Sequence, residues 1–297
     1  MKGSVIPRYS GLPTVLKENG YYNLFFMTHE GQYDNMNAFF RTNGYDEVFS
    51  QEDYPADKVV NSFGVQDDFL YDYAIPVLNQ RAATGQPFFA TLLSISNHPP
   101  YVIPPFFHPK TSEPETQIVE YADWALRQFF EEARKQPWFD NTIFVLEGDH
   151  GKLVGDAECE LPESYNHIPL MIYSSRIQPE EKTTFGGQVD IQPTILGLLN
   201  IDYLQNNFGV DLLKEERPCM FYTADNMVVG RNDTLLYLYN YETQQELTYD
   251  IGNGKLNAVP MDDSFLPLKE YSFSMLQSAE FLVKHGKTLN SIPFTQQ

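Results

Sequence analysis

The chain is short of positive charge. Its 297 residues carry 20 Lys and Arg against 40 Asp and Glu, a formal net charge of −20. So acidic a surface repels phosphate backbones, and no Lys/Arg cluster offsets it, so nucleic acid is not an expected partner. Cysteine is scarce as well. Cys159 and Cys219 stand in Ala157-Glu158-Cys159-Glu160 and Arg217-Pro218-Cys219-Met220, with no CxxC pair and no metal-ligand spacing. A single disulfide between them is open but unforced. No apolar run reaches the 18 or so residues that a spanning helix needs. The opening segment, Met1-Lys2-Gly3-Ser4-Val5-Ile6-Pro7, has no signal-peptide core. Internal repeats and low-complexity stretches are absent too.

What is present suits a packed α/β protein. Hydrophobic residues make up 42% and aromatics 14%, with 22 Phe and 19 Tyr, enough to bury a sizeable core. Residues 11–20 predict a short helix, with Pro13 in its first turn and Gly20 at its end. Tyr22 to Met27 predicts a buried strand, followed at once by Thr28-His29-Glu30-Gly31-Gln32. Residues 64–84 predict a partly amphipathic helix. Pro87 to Ser96 predicts a second strand that runs out into Ser96-Asn97-His98-Pro99-Pro100. Over 113–135 the period is plainly helical, with Ile118, Val119, Ala122, Ala125, Leu126, Phe129, Phe130 and Ala133 on one face. Thr142 to Leu146 and Ile168 to Tyr173 predict two more strands. Between them lies Glu147-Gly148-Asp149-His150-Gly151, and Tyr165-Asn166-His167 leads into the second. A helix is expected over 190–200 with Asp190 as its N-cap. From about 219, short β runs alternate with Asn/Asp/Gly turns, and 263–286 predicts a terminal helix. The expected class is α/β: a mostly parallel sheet flanked by helices over 10–215, then a small antiparallel β subregion with a terminal helix over 216–297.

Chemistry concentrates where strands meet polar loops. In Gly148-Asp149-His150-Gly151 the glycines permit a tight turn and close approach, and the adjacent Asp and His offer an oxygen and a nitrogen to a divalent cation. As a bare tetrapeptide this pattern also suits a capped loop with an incidental histidine. The wider distribution is more informative. Four of the six histidines, His29, His98, His150 and His167, border four separate predicted strands. An anion or metal site at the carboxyl edge of a sheet places residues in this way. His108 and His285 read as surface. The pair Asp67-Asp68 reads as a solvated helix face, and Phe39-Phe40 and Phe106-Phe107 as packing.

In order along the chain, these segments resemble the sulfatase-like catalytic domain of lipoteichoic acid synthases and related phosphoglycerol transferases, in the alkaline phosphatase superfamily. Gly11 to Tyr21 is similar to the family's LPxxLxxxGY helix. Phe39-Phe40 with Gly44-Tyr45-Asp46, Ser96 to Tyr101, Gly148 to Gly151, Gly187 to Leu196 (QxDixPTil) and Phe208 to Leu213 follow in register. The resemblance implies a divalent metal (Mn²⁺, Mg²⁺ or Zn²⁺) held by Asp149 and His150. It also implies substrate contacts from His98, His29, His167, Asn97 and Asp34. The implied substrate is an anionic phosphate or sulfate ester linked to a lipid or glycan, in an extracytoplasmic, cell-envelope setting. It further implies a threonine nucleophile and an acidic ligand several tens of residues before the His29 segment. Only 28 residues precede His29, and Thr14 belongs to the helix motif, so both are expected to lie outside this chain. The family's Trp and Arg after the first histidine are replaced here by Tyr33-Asp34-Asn35-Met36, which departs from glycerol-phosphate specificity. Besides an active transferase or hydrolase, two alternatives are open. One is a catalytically inactive sulfatase-fold protein that binds an anionic glycan or a partner. The other is a metallohydrolase whose nucleophile is water.

Overall fold

The computed structural model describes residues 6–153 and 155–289. The chain divides into two compact units, Met1–Thr142 and Ile143–Gln297.

The first unit runs α1 (Leu12–Glu18), β1 (Tyr22–Met27), α2 (Met36–Thr42), β2 (Glu47–Phe49), β3 (Val59–Asn61), β4 (Gly64–Val65), α3 (Asp67–Ala82), β5 (Phe88–Leu93) and α4 (Pro114–Ala133). Its three-stranded sheet has the order β2-β1-β5, all parallel. As the middle strand, β1 is almost wholly buried, which explains its unbroken Leu-Phe-Phe-Met run. Phe25 stacks on Phe40 at 3.9 Å and Phe26 on Phe49 at 4.7 Å. The β1–β5 register runs from Tyr22 opposite Phe88 to Met27 opposite Leu93. Both strands therefore end level, and Thr28-His29 and the loop to His98 leave from the same carboxyl edge.

Helix α4 buries Ile118, Tyr121, Ala125, Phe129 and Ala133, the spacing of one helical face. The expected face is corrected at one point: Val119 is exposed and Tyr121 takes the interior place. The Tyr121 hydroxyl donates to Asp68 Oδ1 at 2.5 Å, so its polar end is satisfied when the ring is buried.

The second unit runs β6 (Phe144–Glu147), β7 (Leu170–Tyr173), α5 (Ile191–Leu198), β8 (Met220–Ala224), β9 (Met227–Arg231), β10 (Leu235–Asn240), β11 (Gln245–Asp250), β12 (Asn257–Ala258) and α6 (Leu266–Lys284). Strands β8 to β12 form a five-stranded antiparallel meander. The β8–β9 turn places Asp225 and Asn226 at φ +46° and +64°, as a two-residue type I′ hairpin requires. One face of the meander packs Val229, Leu236, Leu238, Tyr249 and Ile251 with Leu161. The other sets Tyr237 against Phe265 and Leu268 at the start of α6. Gly230 lets α6 approach, since a Cβ there would lie 2.4 Å from Ser272 Oγ.

Strand direction differs from the sequence expectation at one pair. Within an architecture that keeps the expected class, β6 and β7 pair antiparallel, with Phe144 opposite Tyr173 and Glu147 opposite Leu170. The connection between them returns to the edge it left, which brings the end of β6 beside the start of β7. Both cysteines are free thiols. Among the described residues no helix is long and apolar enough to cross a membrane.

Candidate functional site

In the first unit His29, Asp34, Asn97 and His98 all lie on loops at the carboxyl edge of β1 and β5. His29 follows β1 directly and is buried. Gly64 fixes this strand end. At φ +89° it has a conformation that other residues rarely adopt, and a Cβ would sit 1.8 Å from the Thr28 carbonyl. The next residue, Val65, donates its N–H to that carbonyl at 3.2 Å. The loop after His29 is held by Glu52, whose carboxylate accepts the Gly31 N–H at 3.1 and 3.3 Å. Burial works to raise the Glu52 carboxyl. Hydrogen bonds from its own N–H, Ser50 and Gly31, with His29 nearby, outweigh burial and hold it below the ordinary range. Asp34 and Asn35 are both left-handed, at φ +46° and +62°. Consecutive left-handed residues that are not glycine store strain of about 1–3 kcal/mol each, the kind that clusters at ligand-facing loops.

The loop after β5 is held by a buried acid. Asp67 Oδ1 accepts the N–H groups of Ile95 and Ser96 at 2.9 and 3.0 Å, and Ser96 Oγ accepts the Asp67 N–H at 3.1 Å. Burial raises the Asp67 carboxyl, partly opposed by those bonds. Asp67 is therefore an internal anchor for the loop that presents Asn97 and His98, not the solvated residue expected from sequence. A row of rings links the two histidines. His29 lies 4.8 Å from half-exposed Tyr33, Tyr33 lies 6.4 Å from Phe63, and Phe63 lies 4.4 Å from the exposed His98.

In the second unit the antiparallel β6–β7 pair gathers Asp149, His150 and His167 into one neighbourhood. Gly151 donates its N–H to Tyr165 O at 2.9 Å, and a Cβ at Gly151 would fall 1.9 Å from Ser164 O. Asp149 and His150 are both exposed, and Asp149 Oδ2 lies 3.6 Å from His150 Nε2. Two ligands on one tetrahedral ion with bonds near 2.1 Å stand about 3.4 Å apart, so the pair already has the separation of two metal donors. Among the described residues no group of three or more His, Cys, Asp or Glu is placed to hold a metal ion. The pair fits as part of a donor set. Glu147, at the end of β6, has its carboxyl raised by burial and by the Asp149 charge. His167 is exposed at the entry to β7, with its N–H bonded to Glu163 O at 2.8 Å.

Three of the histidines share one geometry. Nδ1 of His29, His98 and His150 lies 3.0, 2.7 and 2.8 Å from the carbonyl of the following residue. A carbonyl can only accept, so each Nδ1 carries a hydrogen, and in the neutral ring Nε2 is the nitrogen left for a cation or a donor. Neither Thr14 nor Thr28 presents an open hydroxyl. Thr28, beside His29, is fully buried. Thr14 lies at the other end of β1, where Pro13 O accepts from Asn23 Nδ2, and its Oγ1 both donates to Gly11 O and accepts the Gly11 N–H, each at 2.8 Å.

Asp190, the expected N-cap of α5, does not cap that helix with its side chain. Its buried carboxylate is engaged by Arg217, through Nε at 2.9 Å and through Nη2, and it accepts the N–H groups of Gly187 and Val210, each at 2.8 Å. Gln188 in the same turn donates Nε2 to Gly148 O and Asp149 O at 3.2 and 2.9 Å. The QxDixPTil segment was legible as a motif, but nothing in its letters marks Gln188 as a partner of the GDHG loop.

A parallel α/β unit with histidines at its carboxyl edge, and a second unit that carries an Asp-His loop with the spacing of metal donors, define an alkaline-phosphatase-like class. The solved structure of an alkaline phosphatase superfamily protein from Vibrio parahaemolyticus is similar, with TM-score 0.79 and 26% identity over 94% of this chain and 70% of its own. A lipoteichoic acid synthase from Listeria monocytogenes shares the fold, with TM-score 0.79 and 22% identity over 93% of this chain and 73% of its own. The Sulfatase family model matches residues 3–201, and the chain belongs to that family. Among curated relatives, lipoteichoic acid synthase 1 of Bacillus subtilis is 26% identical over 83% of this chain and 40% of the relative. Phosphoglycerol transferase I of Xanthomonas campestris is 25% identical over 77% of this chain and 34% of the relative. The chain thus spans well under half the length of these relatives.

Proposed function

We propose that this chain contributes to a metal-dependent phosphoryl- or sulfuryl-transfer site. It would act as a hydrolase or as a phosphoglycerol- or phosphoethanolamine-type transferase on an anionic ester of a cell-envelope lipid or glycan, outside the cytoplasmic membrane. The observation that carries this reading is the Asp149–His150 pair, with Oδ2 and Nε2 3.6 Å apart and the His150 tautomer set by Gly151 O.

Asp149 and His150 would hold the cation, Mn²⁺, Mg²⁺ or Zn²⁺. When bound, such an ion polarises an ester oxygen and offsets its charge. That matters in a chain of net charge −20, which otherwise repels an anion. His98 is exposed on the loop after β5, and its Nε2, once protonated, donates to an ester oxygen. Asn97 beside it offers an amide N–H, and Asp34 can accept from a hydroxyl of the substrate's alcohol portion. His29 stands behind Tyr33 and orders the ring row that ends at His98. His167 serves the anion rather than the cation, since among the described residues it does not join Asp149 and His150 in a three-donor group.

Titration of the purified chain with Mn²⁺ and with a phosphate monoester tests this, beside Asp149→Ala/His150→Ala and His98→Ala. The reading predicts Mn²⁺ binding lost in the double variant and ester binding weakened in H98A. Ester binding without turnover would make the chain a binding member of the family. Mn²⁺ binding unchanged in the double variant would sink the assignment.

A further inference from the structure

We propose that Gln188 is a positioning residue that locks the Asp149–His150 loop, and that the buried Asp190–Arg217 pair fixes the turn from which it reaches. The functional part of this inference rests on reading Asp149 and His150 as metal ligands.

The geometry is specific. Gly148 O belongs to the peptide plane before the Asp149 Cα, and Asp149 O to the plane after it. Gln188 Nε2 donates to both, at 3.2 and 2.9 Å. Both acceptors are carbonyls, so the nitrogen end of the amide must face them and each of its two hydrogens has a partner. Holding two successive planes fixes φ and ψ of Asp149, and so the direction of its Cα–Cβ bond. The plane after His150 is held from the other side, by the Gly151 N–H on Tyr165 O at 2.9 Å. Both donor residues therefore have anchored planes before and after them, which is how a pair of ligands is held ready before an ion arrives.

Gln188 itself is exposed, so packing does not account for its reach. Its own backbone is fixed from below. It opens the 3₁₀ turn Gln188–Asp190. The Asp190 N–H bonds Gly187 O at 2.9 Å, and Gly187 returns its N–H to Asp190 Oδ2 at 2.8 Å. Arg217 clamps the same carboxylate and also donates to Phe208 O at 2.7 Å and Tyr271 Oη at 3.2 Å. An exposed flexible side chain thus springs from one of the most tightly bonded turns of the second unit. Two backbone carbonyls gain a fixed donor without any bulk being placed over the open side of Asp149 and His150.

The test compares wild type with Gln188→Met, which keeps length but has no donor, and Gln188→Glu, which keeps shape and turns acceptors toward the carbonyls. Two quantities are read: amide hydrogen exchange at residues 148–151 in metal-free protein, with β9 and β10 as reference, and Mn²⁺ affinity by calorimetry. The proposal expects exchange at Gly151 faster by roughly 5- to 10-fold in Q188M and more in Q188E, the worth of about one net hydrogen bond. Mn²⁺ affinity in Q188M should fall by a similar factor, with β9 and β10 unchanged. A residue that only supported the fold would move the β9 and β10 amides as well. Loop exchange and Mn²⁺ affinity both equal to wild type in Q188M overturn the proposal. If wild type takes up no Mn²⁺, the metal reading fails on its own, and the exchange comparison alone decides whether Gln188 locks the loop.

Discussion

Replacing Arg217 by Met should be among the most damaging single changes in the second unit. Arg217 and Asp190 are both buried, 6% and 0% exposed. Removing the guanidinium leaves the Asp190 carboxylate with only the N–H groups of Gly187 and Val210, and leaves Phe208 O and Tyr271 Oη without their donor. Breaking a buried pair from one side costs about 3–5 kcal/mol, because the surviving charge is uncompensated. That is a large part of the roughly 5–15 kcal/mol that holds a domain folded. Replacing both partners together, Asp190→Leu with Arg217→Met, should recover part of the loss. The assay must report on the right unit. Both tryptophans, Trp124 and Trp138, lie in the first, so tryptophan fluorescence reports on that unit. Hydrogen exchange of the β9 and β10 amides in graded urea reads the second unit directly. A cost below about 1 kcal/mol for R217M at neutral pH would refute the argument, since that is the scale of an exposed pair.

The first unit gives predictions that tryptophan fluorescence can follow. Asp67→Ala strips both acceptor contacts from Ile95 and Ser96 and should cost about 2–3 kcal/mol. Asp67→Asn keeps an oxygen where both bonds end and should stay within about 1 kcal/mol of wild type. The pH dependence follows from burial raising the Asp67 carboxyl above 3.8. A carboxyl raised in the fold contributes stability that is present below the unfolded value and is lost as pH rises through the folded one. Wild type should therefore gain on D67N as pH falls toward 3.8, and parallel stability curves for the two would contradict the burial argument. Gly64→Ala puts a methyl 1.8 Å from Thr28 O at φ +89° and should destabilise the unit by at least about 2 kcal/mol. An unchanged urea midpoint would show that the β3–β4 hairpin can move aside.

How far the letters reach is clearest at particular elements. Strand β1 was legible as an apolar run because the middle strand of a parallel sheet is buried on both faces, and α4 because its face repeats at the helical period. Which neighbours fill that face was less so: Val119 and Tyr121 both border it, and the interior place went to the ring whose hydroxyl could reach Asp68. The direction of β7 was not legible, because a strand reads alike both ways and the loop's return path decides. Asp67 and Asp68 look identical in sequence. The first is buried because the Ile95 and Ser96 amides, almost thirty residues on, need an acceptor. Gln188 stayed hidden for a related reason, since its partners are main-chain carbonyls and every residue has one. The Asp149–His150 loop was legible because glycine, acid and imidazole in that order is itself chemically unusual.

The central claim is that Asp149 and His150 ligate one divalent cation. The most direct test is pulsed electron paramagnetic resonance of Mn²⁺ added to the chain, reading nitrogen coupling from a ligated imidazole. The account predicts an imidazole nitrogen signal in wild type that disappears in His150→Ala and persists in His285→Ala. A spectrum of fully hydrated Mn²⁺ in wild type, or a nitrogen signal that survives H150A, would contradict it.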